Sequence, residues 1–288
     1  MIKIFITTLL IKSMFVYFQN RITVLDAENH KPIPYAKIIL KDKDYYKNTE
    51  EDGGTVLDEN EDLSEIQSFG YENLKVEKFQ QTYLLQPKFN EIKTVEITNP
   101  KFEKSFTVGR IKKKDIGFSA LKRSWLVVDL FKNEIPDDKI YIKKIKIPTQ
   151  VHKTIKEATF NLVFYENING KPSEERRKNI VVTCKSGKNI TEIDLTKNPI
   201  PFPKEGLFIG FEWIVNKQNT YSYVTDIHYP DGTKKENVSQ KGTAPTFKGY
   251  ECIISNVMAN DNVNWHSIFT AKTRKTAYSI SMQLELTN

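Results

Sequence analysis

Four histidines, two cysteines and a handful of aromatic side chains are the residues of this protein that could do chemistry, and their spacing limits which chemistry is open. A zinc peptidase needs two histidines and a glutamate, including an H-x-x-E pair. His30, His152, His228 and His266 are followed three positions later by Ile33, Ile155, Asp231 and Phe269, so no such pair exists. There is no C-x-x-C pair, no G-x-S-x-G elbow and no P-loop, which leaves no expected metal or cofactor. Cys184 and Cys252 fall inside strand patterns and read as inert core thiols rather than nucleophiles. An even pair in an exported protein also permits a disulfide between them, and the sequence leaves both states open. Asp52, Asp58 and Asp62 do not match the offsets of a calcium loop, so a solvated acidic loop is expected there. Glu174-Glu175 and Asp137-Asp138 lie in turn-like stretches; a glycosidase's carboxylates need not be neighbours, so its chemistry is not decided by these pairs. The inventory as a whole reads as non-catalytic.

Binding is the better-supported chemistry. Trp125, Trp213, Trp265, Tyr221, Tyr223 and Tyr229 could stack on sugar rings. Trp213 follows Ile209 and Phe211 with period two, which sends it to an inward apolar face. Trp265, between Asn264 and His266 and after Asn260-Asp261-Asn262, reads as exposed, with Tyr221 and Tyr223 on one strand face to flank it. The expected glycan site is therefore Trp265, Tyr221 and Tyr223. The competing expectation is a structural or partner-docking protein of the envelope with no small-molecule ligand, its basic half meeting an acidic surface.

The elements that must position these groups read almost entirely as strands. In the first part these are Arg21 to Asp26, Ala36 to Lys41, Gly54 to Leu57, Glu65 to Ser68, Leu74 to Lys78, Gln81 to Gln86 and Glu91 to Ile97, separated by turn signals such as Asp52-Gly53-Gly54. Seven short strands predict a small β-sandwich over residues 21–97. From residue 100 to 288 some eleven strands and no long amphipathic helix predict a larger, jelly-roll-like β-sandwich. With 288 residues, 39% of them hydrophobic, there is material for a core in each. Charge divides unevenly: residues 21–95 carry 10 Lys/Arg against 15 Asp/Glu, residues 96–288 carry 31 against 21. The lysines of the basic part alternate with apolar residues, as in Lys143 to Ile147, which is the solvated face of a strand rather than a nucleic-acid surface.

The stretch Val24-Leu25-Asp26 through Lys31-Pro32-Ile33-Pro34-Tyr35-Ala36-Lys37-Ile38 is followed by Asn48-Thr49-Glu50-Glu51-Asp52-Gly53-Gly54 and by Ile66-Gln67-Ser68-Phe69-Gly70-Tyr71-Glu72. In order and spacing these resemble the carboxypeptidase-regulatory-like domain, a transthyretin-like β-sandwich of many exported Bacteroidetes-type proteins. The sequence departs from that pattern at Gly54-Thr55, where the family's turn leads to an aromatic. The resemblance is to an accessory module and not to a catalytic one. The runs Leu162 to Tyr165, Ile180 to Thr183 and Gly206 to Trp213 are similar to the C-terminal modules of such flavobacterial proteins.

Residues 1–20 pair Lys3 with apolar segments from Ile4 to Ile11 and from Met14 to Phe18, the layout of a signal peptide or, left uncleaved, of an N-terminal membrane anchor. A buried first strand is the alternative, because Lys12 interrupts the run and no small-residue cleavage site precedes Asn20. Export to the periplasm, outer membrane or cell surface is the expected localisation, with a glycan or an envelope protein as partner.

Overall fold

The computed structural model describes residues 20–43, 45–88, 100–112, 116–120, 125–137, 139–229, 231–260, 264–268 and 276–288. The signal or anchor segment, apart from Asn20, and the expected strand from Glu91 to Ile97 lie outside them. The described residues contain strands and no helix, and the protein is all-β. The protein divides into two compact units, Met1–Asn90 and Glu91–Asn288.

The smaller unit has two sheets. Asn20–Asp26 is flanked by Gly54–Leu57, antiparallel, and by Thr82–Leu85, parallel. Lys37–Leu40 lies between Tyr46–Asn48 and Leu63–Gln67, with Leu74–Lys75 beyond the latter. Alternation sends Ile22 and Val24 from one sheet and Ile38, Leu40 and Ile66 from the other into a shared core with Tyr83 and Leu85. Its acids are used locally. Asp52 accepts from the Gly54 N–H at 2.9 Å and from Arg21 at 2.7 Å, and Asp58 and Glu61 meet Lys47. Tyr46–Asn48, three residues opposite Lys37–Leu40, is too short for its alternation to announce itself in the sequence.

The larger unit is a sandwich of a seven-stranded and a nine-stranded sheet. The first runs, in spatial order, Lys171–Pro172, Glu157–Ile168, Leu207–Trp213, Leu126–Phe131, Met258–Asn260 and Trp265–Ser267, with Lys178–Lys185 also on Glu157–Ile168. In the second, Tyr141–Val151 and the long strand Lys234–Cys252 are the hubs; Thr220–His228, Ser105–Arg110, Met282–Thr287, Ala277–Ile280 and Ile116–Ala120 are among the strands joined to them directly or in turn. The Asn169-Gly170 turn holds φ of 52° and 83°, the two positive values of a type I′ hairpin, which Asn and Gly tolerate best. Between the sheets Phe211 stacks on Phe247 at 3.6 Å, Phe160 meets Phe247 edge-on at 4.8 Å, and the Trp213 Nε1–H donates to the Pro245 carbonyl at 2.7 Å. Trp213 is thus core, as its period-two spacing predicts. Phe247 touches three of these rings and no water, so Phe247→Ala is expected to cost about 3–5 kcal/mol in the urea unfolding transition of the larger unit.

Candidate functional site

Strand Leu126–Phe131 reads Leu-Val-Val-Asp-Leu-Phe, and alternation turns Val127 and Phe131 into the inter-sheet core. Asp129 shares their face, so a carboxyl enters the sandwich where an apolar side chain would be ordinary. Across the gap, the Ser279 hydroxyl donates a short hydrogen bond to Asp129 Oδ2, which also accepts the Ile280 N–H at 3.1 Å; Oδ1 accepts the Leu130 N–H at 2.9 Å. Burial pushes the Asp129 pKa up, against the pull of those three donors.

Asp129 and Ser279 line a pocket of about 570 Å³ between Leu126–Phe131 of one sheet and Ser105–Arg110, Lys234–Cys252 and Ala277–Ile280 of the other. Arg110 lies with its guanidinium 4.5 Å from the centre of the Tyr250 ring. Lys132, Glu134, Thr107 and Asn256 supply further polar groups, and Val108 and Ile254 supply apolar ones. Among the described residues no histidine lines the pocket. The Cys252 thiol is pushed up chiefly by burial, with Asp129 adding to the effect and Arg110 opposing it, so it holds its proton at neutral pH.

The disulfide that the sequence permits is not formed. Cys184 is a buried free thiol of the seven-stranded sheet, donating to the Ala158 carbonyl at 3.3 Å, with its pKa pushed up to about 12 mainly by burial. Cys252 is a free thiol of the nine-stranded sheet, at the pocket.

The three aromatic residues expected to form a glycan platform are separated by the fold. Tyr221 and Tyr223 are neighbours on Thr220–His228, ring centres 5.8 Å apart, and His152 stacks face to face on Tyr221 at 4.4 Å. A Cβ on Gly242, the cross-strand partner of Tyr221, would stand 2.7 Å from the Tyr221 ring, so the ring lies over bare backbone there. Trp265 belongs to the other sheet, where it meets Tyr165 edge-on at 5.0 Å and packs on a cluster of Leu126, Val128, Val163 and Phe208. Its ring is half-buried, and no ring contact joins it to Tyr221 or Tyr223 among the described residues.

That outer cluster adjoins a buried ion pair which motif reading passes over. Glu212, between Phe211 and Trp213, receives Arg176 at 2.8 Å and the Asn161 amide at 3.3 Å. Arg176 also donates to Asn179 at 2.6 Å and to the Tyr165 hydroxyl at 3.2 Å. The available signal was a glutamate inside an otherwise apolar strand, as for Asp129. Among the described residues no group of three His, Cys, Asp or Glu side chains is placed to hold a metal ion.

Two outcomes follow from these buried acids. Arg176→Met removes the guanidinium from Glu212 and is expected to cost about 3–5 kcal/mol in urea unfolding, while Arg176→Met with Glu212→Leu recovers most of that loss. Asp129 has a native pKa above its ordinary value of 3.8. Its protonation therefore favours the fold at low pH, and this contribution fades as pH rises from about 4 through the native pKa. Unfolding of the wild type and of Asp129→Asn, measured as a function of pH, is expected to show the wild type losing its relative advantage in that direction. A gain with rising pH would refute the assignment.

No protein-family model matches this sequence, and no curated protein or solved structure does.

Proposed function

We propose that this is a non-catalytic exported protein of the bacterial cell envelope whose larger sandwich binds a small hydroxylated molecule, of glycan type, in the pocket at Asp129 and Arg110. The pocket itself carries the reading. Its volume of about 570 Å³ is in the range of small-molecule sites, and polar groups from both sheets converge on it. Binding is favoured over catalysis because the groups that could react are quiet. The Cys252 thiol is held protonated, and Ser279 donates to a carboxyl with no histidine among the described lining residues to draw off a proton. The envelope assignment rests on the resemblance of residues 24–72 to carboxypeptidase-regulatory-like domains. The glycan reading moves from Trp265, Tyr221 and Tyr223 to the pocket because those rings are divided between two sheets and already engaged by Tyr165 and His152.

The test is saturable binding of a panel of mono- and disaccharides and peptidoglycan fragments, measured by calorimetry on the wild type, Asn256→Trp and Trp265→Ala. Asn256 is exposed and lines the pocket, so an indole there obstructs it without disturbing the core. Binding lost in Asn256→Trp and kept in Trp265→Ala is the expected result. The reverse pattern would return the site to Trp265, and no binding by any member would favour the partner-docking reading.

A further inference from the structure

Arg110 is an exposed cation of the pocket that meets no anion among the described residues. It closes strand Ser105–Arg110, and the backbone beyond it is pinned by Ser281, whose hydroxyl accepts the Lys112 N–H at 2.6 Å and donates to the Lys112 carbonyl at 2.7 Å. Tyr250 supports the guanidinium from its face. A guanidinium held over a ring by its cationic carbon still has N–H donors to offer, and a guanidinium matches a carboxylate in a two-bond fork.

Among the described residues nothing uses that fork. Among them Arg110 forms no ion pair, although two acids line the same pocket. Asp129 is engaged by Ser279, Ile280 and Leu130, and among the described residues Glu134 pairs with no cation. Thr107 and Asn256 add hydroxyl and amide groups suited to ligand hydroxyls, and Val108 and Ile254 add apolar surface for the C–H groups of a ring or an aliphatic segment. A pocket of about 570 Å³ is far larger than a bare inorganic anion needs.

Resting on the reading of this pocket as the ligand site, we propose that it takes a small hydroxylated carboxylate, a sugar acid or hydroxy acid, whose carboxylate is clamped by the in-plane N–H groups of Arg110. The hydroxyls of such a ligand face Thr107 and Asn256. Discrimination against neutral sugars lies in the carboxylate, because a lone hydroxyl does not accept from both N–H groups of the fork.

The experiment is calorimetric titration of the full-length protein with glucuronate, glucose and inorganic phosphate, a set in which glucuronate and glucose differ only at the carboxylate. Glucuronate is expected to bind saturably and about tenfold or more tighter than glucose. Arg110→Gln should reduce glucuronate to the glucose level, and Arg110→Lys, which keeps the charge and loses the fork, should fall between them. Glucuronate binding unchanged in Arg110→Gln overturns the proposal, as does the absence of glucuronate binding. Glucose binding as tight as glucuronate and blocked by Asn256→Trp overturns the carboxylate assignment while leaving the pocket as the ligand site. Phosphate binding tighter than glucuronate overturns it in favour of a phosphorylated ligand.

Discussion

Seven consecutive residues, Leu207 to Trp213, are buried, and much of the larger unit is arranged around that constraint. With a period of two, Leu207, Ile209, Phe211 and Trp213 enter the inter-sheet core, which leaves Phe208 and Glu212 on the opposite face. In an ordinary two-layer sandwich that second face would be wet. Here it is covered, so the Glu212 carboxylate cannot be left to solvent. An unpaired buried charge costs several kcal/mol, more than any single packing contact on the strand supplies. The neighbouring strands supply the remedy. Register places Asn161 directly opposite Glu212 and Asn179 opposite Val163, and Arg176 enters just before Lys178–Lys185 begins. Those three side chains and the Tyr165 hydroxyl form one connected polar island in an apolar face.

Asp129 meets the same difficulty on the other face of the same sheet and is handled differently. Its donors are two N–H groups and a hydroxyl, all neutral, and among the described residues no cation pairs with it. Neutral donors stabilise a carboxylate less than a guanidinium does, so burial prevails and the group leans toward its protonated form. The arrangement also ties strand Leu126–Phe131 to strand Ala277–Ile280 across the sandwich, at the point where close packing of the sheets gives way to the pocket. The acid that marks the pocket therefore also bridges the two sheets beside it.

The β-branched and aromatic runs, and the turns punctuating them, made the all-β class legible, because strand alternation and Gly-containing turns are local signals. Trp213 was legible for the same reason. Strand Lys234–Cys252 was readable only at its C-terminal end. Residues 234 to 240 are exposed or half-exposed and, apart from Val238, polar, so they carry no apolar alternation and are held by pairing with Thr220–His228 instead. Ile200–Pro201 and Lys171–Pro172, at two residues each, are too short to show any period. The aromatic platform drawn from Trp265, Tyr221 and Tyr223 failed to assemble because face and spacing say nothing of which sheet a strand joins. The Asp129 pocket and the Arg176–Glu212 pair were hidden in a related way. Each joins residues distant in sequence, and its only local trace is one acid in an apolar strand.

Asp129 and Asp26 show how differently two carboxyls of this protein are held. Asp26 accepts from the Glu28 and Asn29 N–H groups and from the Tyr71 hydroxyl, and the Asn29 side chain adds to them. There the Asn29 N–H outweighs burial and the pKa falls, so the carboxylate stays ionised and pins a turn. At Asp129 the three donors do not outweigh burial, and the pKa rises. Burial is the leading influence at Asp129 and comes second to the Asn29 N–H at Asp26, and that order sets the sign. A carboxyl held well charged serves as a fixed structural pin, whereas burial works against the charged form at Asp129. At the same pocket Arg110 lies over the Tyr250 ring and forms no ion pair among the described residues, so the two acids and the cation of this site are held by separate means.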